Sequence, residues 1–392
     1  MCRWFAYISP SEDCLLEDVL VSTSHLHPYL SHPNIISAPA HSISKQVDQH
    51  YLPLLFSHDP AVHAGNTTAA EVAARNRFFS VDGFGMAWYT PSKALFSANT
   101  AAHIARDPNH KPRPRQALYK ITRPCAHDMN FQQITANTAS RCVLAHIRAA
   151  STGVVAQVNN HPFVFGRHTI MHNGYISDYH AIGRQMAGLM SEKAYSSITG
   201  QTDSEALAAL YMTYLTAGKD ENAATEGDDR FDESYTTEQM RDALQNTFDT
   251  IIELQKAALG DKAQPNDLNV CVTSGQHLVA TRFRNHPEGQ PPSLYWSETA
   301  GVTLNRKYPD AADGSKGPHG PAQRDVEGTH GQLVQGHNPY FYKEPRQHGK
   351  HLIVASEPTT YKKCEWNLVE KNHCVAVEGD GNVKIHEMSC SM

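Results

Sequence analysis

Alternating bulky and small side chains at the start of the chain predict a strand. Residues 2–8 (CRWFAYI) have this pattern and are followed by Ser9-Pro10, a dipeptide typical of a strand end. Other short runs are rich in β-branched and aromatic residues and bounded by polar or turn residues: DGFGMAWY at 82–89, RCVLAHIR at 141–148 and TIMH at 169–172. We predict that all of these segments are strands of a sheet, the first of which begins at a cysteine.

Apolar residues spaced three and four positions apart predict a long amphipathic helix after residue 202. Thr202 and Glu205 have the spacing of a capping box, which places Asp203 in the first turn. The apolar positions that follow, before Gly218, are Leu207, Leu210, Tyr211, Tyr214 and Leu215.

A second long helix and two hairpins are predicted in the rest of the chain. Thr236 and Gln239 have a second capping pattern, and Gly260 is a natural C-terminal stop. The predicted hairpins are 269–273 with 277–283, and 374–378 with 383–386. Strands, then helices, then strands again favour helices outside stacked antiparallel sheets over a regular βαβ alternation.

Two segments lack such patterns and are predicted to be loop insertions. A short helix is predicted over residues 11–21, after which residues 22–40 are rich in His, Pro and Ser. Residues 305–350 are dense in Gly, Pro, His and charge, so we expect a long mobile loop there. We expect the remainder to form a single domain spanning residues 2–392.

Composition narrows the classes of function. The chain has 392 residues, is 40% hydrophobic and carries a formal net charge of −6, without the basic clusters of a nucleic-acid binder. No run approaches the roughly 20 apolar residues of a membrane helix, and no signal peptide is evident, so we expect a cytoplasmic protein without membrane or nucleic-acid partners. Its 8 cysteines include no CxxC pair and its 24 histidines no HExxH pattern, so we expect reduced thiols, no metal and no cofactor.

Five groups of short motifs occur along the chain: MCR at 1–3, DGFGMAW at 82–88, HIRAAST at 146–152, NNHPF at 159–163 with MHNG at 171–174, and TDSE at 202–205. Each one alone is weak evidence. Their combination with a cysteine at position 2 resembles the class II glutamine amidotransferases, which are N-terminal-nucleophile hydrolases. The resemblance implies an α+β fold of four layers, αββα, with two stacked, mainly antiparallel sheets.

Further motifs, PAHSI at 39–43 and ASEP at 355–358, make the chain similar to the amidotransferase-like subunits of fungal cytosolic glutathione-degrading complexes. This resemblance covers most of the chain. The γ-glutamyl amidohydrolases of bacterial ergothioneine synthesis are more distantly similar. The chain departs from the pattern at residues 22–38 and at 305–350, where segments interrupt it.

Cys2 is the candidate nucleophile. Removal of Met1 would make it the terminal residue, and its own α-amine, with a typical pKa of about 7.7–8.0, would then act as the base. No histidine partner is needed in that arrangement. Taken without the other motifs, Cys2 is equally well explained as the second residue of a buried strand.

The resemblance assigns the remaining site residues. Asn173 and Gly174 would supply an amide and a backbone N–H to the oxyanion of the tetrahedral intermediate, although an Asn-Gly pair is also a common turn. Arg148 would bind the α-carboxylate of a glutamyl group and Asp203 its α-ammonium. Alternatively, Arg148 forms a strand-edge ion pair and Asp203 a plain helix cap.

Ser151 and His172 lie in the same motifs and are predicted to line the substrate site, as are Asn160 and His161 with less support. Gly83 and Gly85 are expected to relieve backbone crowding near the nucleophile.

The sequence pattern favours a stand-alone hydrolase or a subunit over a synthase. No GxGxxG or P-loop motif follows Asp203, where helix and hairpin signals continue. The resemblance implies cleavage of the γ-glutamyl bond of glutathione or a similar thiol peptide, with a peptidase-like protein partner. The alternatives are a glutaminase that supplies ammonia to a separate synthase, an ergothioneine-type amidohydrolase, and a non-catalytic scaffold.

Overall fold

Burial of the first strand on both faces requires a layer on each side of it. In the computed structural model, which describes residues 2–21, 43, 82–96, 113–125, 128–150, 153–217, 230–305, 347–360 and 365–390, all 6 residues of β1 (Arg3–Ile8) are buried. Phe5 and Tyr7 join one apolar cluster, whereas Trp4, Ala6 and Ile8 join another. Since successive side chains of a strand point to opposite faces, β1 lies inside a stack of layers.

The strands that follow β1 are β2 (Cys14–Leu15), β3 (Gly83–Thr90), β4 (Arg115–Ile121), β5 (Ala139–Ser140), β6 (Cys142–Arg148), β7 (Phe163–Phe165), β8 (His168–Tyr175), β9 (Asp267–Thr273), β10 (Leu278–Arg282), β11 (Tyr295–Ser297), β12 (Leu352–Ala355), β13 (Asn367–Leu368), β14 (His373–Val377) and β15 (Val383–Glu387). One sheet has 7 strands in the order β13-β11-β12-β1-β6-β3-β4, and the other has 6 in the order β15-β14-β10-β9-β8-β7. All neighbouring strands are antiparallel, including the separate pair β2-β5.

The helices are α1 (Leu16–Leu20), α2 (Ser92–Leu95), α3 (Met129–Ala136), α4 (Tyr179–Gly188), α5 (Glu192–Ser196), α6 (Asp203–Ala217), α7 (Thr237–Leu259) and α8 (Ala300–Leu304). Helices α4, α6 and α7 bury their apolar faces against the six-stranded sheet, and α1, α3 and α8 pack on the seven-stranded sheet. A third cluster, which includes Trp4, Met171 and Cys271, lies between the sheets. The layers are therefore αββα, and the predicted fold class is confirmed.

The predicted strands at β1, β3, β6 and β8, the two long helices and both hairpins are present. The helix predicted over residues 11–21 is wrong in its first half. There Cys14 and Leu15 pair with Ser140 and Ala139, and only α1 remains helical. The backbone before Leu16 is held by strand pairing, which a short sequence pattern does not reveal.

The capping box predicted at α6 is only half formed. The hydroxyl of Thr202 accepts the N–H of Glu205 at 3.1 Å, as expected. The Glu205 carboxylate instead accepts the N–H groups of Thr199 at 3.0 Å and Gly200 at 2.6 Å, which fixes the loop that enters α6. At α7 the box between Thr236 and Gln239 is complete.

The two predicted loop insertions fall largely outside the described residues, which omit 22–42 and 306–346. The extent of a single domain over residues 2–392 likewise stays a prediction.

The close packing of the backbone around Gly85 can be tested by mutation. A Cβ at this residue of β3 would meet the backbone oxygen of His161, so we expect Gly85→Ala to lower the free energy of unfolding by about 2 kcal/mol. Gly188→Ala is the matched control, because nothing lies near its added Cβ and alanine favours the helix by about 0.5–1 kcal/mol. Denaturant unfolding of both variants measures the difference, and equal stabilities would contradict the close approach at Gly85.

Candidate active site

A pocket opens where the two sheets and the start of α6 meet. Cys2 directly precedes β1, and its Sγ accepts the N–H of Ala149, the residue after β6, at 3.2 Å. Of the residues predicted for the site, six line this pocket: Cys2, Arg148, His161, His172, Gly174 and Asp203. The fold thus brings together residues that are up to 201 positions apart in sequence, from Cys2 to Asp203.

Gly174 allows the six-stranded sheet to reach the pocket wall. It has a φ of +155°, which side-chain-bearing residues rarely adopt, and an added Cβ would collide with the backbone oxygen of Asp267 on β9. Glycine is therefore required for this pairing, and it leaves the backbone at the end of β8 open to the pocket. On the facing sheet, a Cβ at Gly83 would collide with the side chain of Asn160.

The thiol of Cys2 lies in a partly desolvated environment. Burial raises its pKa, while the N–H of Ala149 and the positive charge of Arg148 act in the opposite direction. The protonated form is therefore favoured in this setting, and attack on a substrate requires a base.

Two oppositely charged side chains are held on the pocket wall by the backbone. Arg148 is buried and donates from Nη1 to the oxygen of Val154 at 3.1 Å. Burial lowers its pKa, against the effects of Cys2, Asp82 and Asp203. Asp203, also buried, accepts the N–H of Ile176 at 2.9 Å and that of Ser204 at 2.8 Å. Both heads are oriented before any substrate binds.

Asp82 supports the segment that carries Arg148. Its carboxylate accepts the N–H of Ala150 at 2.7 Å. This contact accounts for the aspartate that opens the DGFG motif, to which the sequence analysis gave no role.

His172 contributes its ring to the pocket wall, but protein groups occupy both of its nitrogens. Nε2 lies 2.9 Å from the oxygen of Asp267 and Nδ1 lies 2.9 Å from the Ser204 hydroxyl. Since a carbonyl only accepts, Nε2 carries the proton and Nδ1 accepts from Ser204. Burial also lowers the pKa of His172, so the ring is a neutral support for Ser204, next to Asp203.

Asn173 and Ser151 differ from the other predicted residues. Asn173 is 2% exposed and precedes Gly174 at the end of β8, and its Nδ2 lies 3.5 Å from the Ser356 hydroxyl. It does not itself line the pocket, although Gly174 does. Ser151 lies outside the described residues, so its predicted role stays a prediction.

His161 lines the pocket, whereas its neighbour Asn160 does not. His161 is 4% exposed, and its ring centroid lies 4.1 Å from that of His146. Neither of its ring nitrogens has a hydrogen-bond partner in the described part of the chain. Burial lowers its pKa well below the usual range, so the ring is neutral. Asn160 instead donates to the oxygen of Ile121 at 2.8 Å and supports β4.

Sequence reasoning did not assign the other pocket residues, which are Ala149, Thr202 and Ser204. Thr202 and Ser204 flank Asp203 within the TDSE motif, so their proximity to it was available as a signal. Ala149 acts through its backbone, and side-chain chemistry gives no indication of such a role.

Among the described residues, no group of three or more His, Cys, Asp or Glu side chains has the arrangement of a metal site. No helix in the same part of the chain is long and apolar enough to cross a membrane. The pocket combines a thiol, a backbone edge, a guanidinium and a carboxylate, a set that suits nucleophilic attack on a carbonyl of a zwitterionic substrate.

Comparisons of the sequence with known proteins agree on one family, the glutamine amidotransferases. The sequence model of "Glutamine amidotransferases class-II" matches residues 72–282. The probable glutamine amidotransferase DUG3 of Saccharomyces cerevisiae is 26% identical over 306 residues, which are 78% of this chain and 71% of that protein.

Two solved structures are also similar. A glutamine aminotransferase class-II domain protein from Silicibacter pomeroyi is 16% identical, with a TM-score of 0.49 over 99% of this chain and 100% of that chain. The glutamine phosphoribosylpyrophosphate amidotransferase of B. subtilis is 9% identical, with a TM-score of 0.47 over 100% of this chain and 50% of that chain.

Proposed function

Because the chain belongs to the class II glutamine amidotransferases, we propose that it hydrolyses γ-glutamyl amides with Cys2 as the nucleophile. The observation that carries this proposal is the shared pocket of Cys2, Gly174, Arg148 and Asp203. A nucleophile, a backbone edge for an oxyanion and two opposite charges for a glutamyl head occupy one cavity.

The base in this proposal is the α-amine of Cys2, which becomes free when Met1 is removed. The neutral amine takes the thiol proton, and the thiolate attacks the γ-carbonyl carbon. The tetrahedral intermediate collapses as the ammonium returns a proton to the leaving nitrogen, which leaves a γ-glutamyl thioester on Cys2. Water, deprotonated by the same amine, then hydrolyses the thioester and releases glutamate.

The negative charge of the intermediate is stabilised from the six-stranded sheet. The side-chain amide of Asn173 and the backbone N–H of Gly174 act as the donors. Removal of one such fixed donor typically costs about 3–4 kcal/mol of transition-state stabilisation. Gly174 supports this role, because its backbone lines the pocket without a side chain in between.

The glutamyl head is held by Arg148 and Asp203. The guanidinium matches a carboxylate in shape and charge, and the aspartate carboxylate accepts from an ammonium. The backbone contacts of both side chains support the assignment, since a pre-oriented pair loses less freedom when the substrate binds.

Glutathione is the favoured substrate, with a peptidase-like protein as partner. The resemblance to fungal glutathione-degrading subunits supports this choice. Glutamine, and hence an ammonia-donor role, is the competing substrate.

Product analysis tests the substrate. Purified chain with a processed N-terminus should release glutamate and cysteinylglycine from glutathione with a higher kcat/KM than it releases ammonia from glutamine, and Cys2→Ala should abolish both activities. The assay is run with and without a co-purified peptidase-like protein. Faster turnover of glutamine in both preparations would overturn the choice of glutathione but leave the γ-glutamyl chemistry standing.

Arg148 and Asp203, the two residues proposed to hold the charges of the glutamyl head, form what we call the charge clamp. It can be tested with substrates that lack one of these charges. Arg148→Ala and Asp203→Asn should lower kcat/KM about 30-fold or more, equivalent to roughly 2–5 kcal/mol for a lost charge partner. Wild type should discriminate strongly against a glutaryl amide, which lacks the α-ammonium, and Asp203→Asn should not. Arg148→Ala should lose discrimination against an analogue without the α-carboxylate. Full discrimination retained in both soluble variants would contradict the clamp.

A further inference from the structure

The ASEP motif at residues 355–358 has no role in the mechanism above, yet it lies beside the nucleophile. Ala355 ends β12 and pairs with Phe5 of β1. The next residue, Ser356, donates its N–H to the oxygen of Trp4 at 2.9 Å, and its hydroxyl accepts the N–H of Trp4 at 3.0 Å. The Ser356 side chain thus takes the hydrogen bond that a backbone carbonyl would accept in a regular antiparallel pair.

The same hydroxyl reaches the facing sheet. Ser356 Oγ lies 3.5 Å from Nδ2 of Asn173, and both residues are 2% exposed. The buried Oγ of Ser356 therefore has contacts on both sheets. On one sheet it contacts Trp4, which lies two residues after Cys2, and on the other it contacts the side chain of Asn173, which precedes Gly174. Because both groups are buried, the Asn173 amide is largely shielded from solvent, and the contact with Ser356 restricts its orientation.

A second contact connects the ASEP motif to β1, this time through Glu357. Arg3 Nη2 lies 3.7 Å from Glu357 Oε1, and both side chains are buried. Burial raises the pKa of Glu357 to about 8, while the guanidinium of Arg3 opposes the rise. Ser356 and Glu357 thus anchor the chain after β12 to two successive residues of β1, Trp4 and Arg3.

We infer that Ser356 is a positioning residue that sets the oxyanion donor Asn173 relative to Cys2. A primary amide has two N–H groups, so one held by Ser356 leaves the other to point at the oxyanion. The inference rests on the proposed function, since it gives Ser356 a role only through the oxyanion donor of that reaction. Precise placement of the donor affects the transition state more than the binding of the substrate.

Ser356→Ala tests the inference, with Ser9→Ala as a matched control. Ser9 is also a buried serine beside the β1–β12 pair, but it lies at the far end, where its hydroxyl donates to the oxygen of Lys350 at 2.7 Å and accepts the N–H of Glu12 at 2.9 Å. We expect Ser356→Ala to lower kcat for γ-glutamyl hydrolysis about 10- to 100-fold with KM nearly unchanged. Alkylation of Cys2 by iodoacetamide should proceed at the wild-type rate, and Ser9→Ala should keep the wild-type kcat.

A double-mutant cycle separates positioning from general loss of structure. In an Asn173→Ala background, the further change Ser356→Ala should have almost no effect on kcat, because the amide that it orients is gone. An equal loss of kcat in both backgrounds, or equal activity of Ser356→Ala and Ser9→Ala, would overturn the inference while the proposed function stands. Wild-type protein that hydrolyses no γ-glutamyl substrate would instead overturn the proposed function, and the inference with it.

Discussion

Trp4, Met171 and Cys271 belong to the apolar cluster between the two sheets, and this packing is the constraint on which the site depends. Stacked sheets bury alternate side chains of β1, β6 and β8 against each other, so the ends of these strands are held close together. Cys2 and Arg148 lie at the ends of strands in one sheet and Gly174 in the other. The pocket therefore forms between layers, and α6 closes it by placing Asp203 at its first turn.

The electrostatics of the pocket favour one orientation of a zwitterionic ligand. His161 and His172 are kept neutral, because burial lowers their pKa values. Among the described residues that line the pocket, Arg148 is then the one cationic side chain and Asp203 the one acidic side chain. In the proposed mechanism, a substrate carboxylate would bind at Arg148 and an ammonium at Asp203, which would fix the position of the carbonyl relative to the thiol. Because both rings are neutral, neither competes with Arg148 for a carboxylate.

The sequence predicted the parts of the fold that rest on local periodicity and the parts of the site that lie in compact motifs. β1, α6 and α7 were predictable because buried faces and caps leave regular patterns, and TDSE placed Asp203 at a helix start. The pairing of Cys14–Leu15 with Ala139–Ser140 was not predictable, since a two-residue ladder depends on distant chain. The hydrogen bonds to both ring nitrogens of His172 and the backbone contact of Ala149 with Cys2 were not predictable either, because they form only when the layers assemble.

Covalent capture of the nucleophile tests the central claim most directly. A γ-glutamyl diazo-ketone should add a single label to mature protein, and peptide mapping by mass spectrometry should place it on the N-terminal residue Cys2 with a free α-amine. Excess glutamate should protect against labelling, because both ligands share the head that Arg148 and Asp203 are proposed to bind. Labelling of a buried thiol such as Cys142 or Cys271, or full activity of Cys2→Ala, would contradict the account.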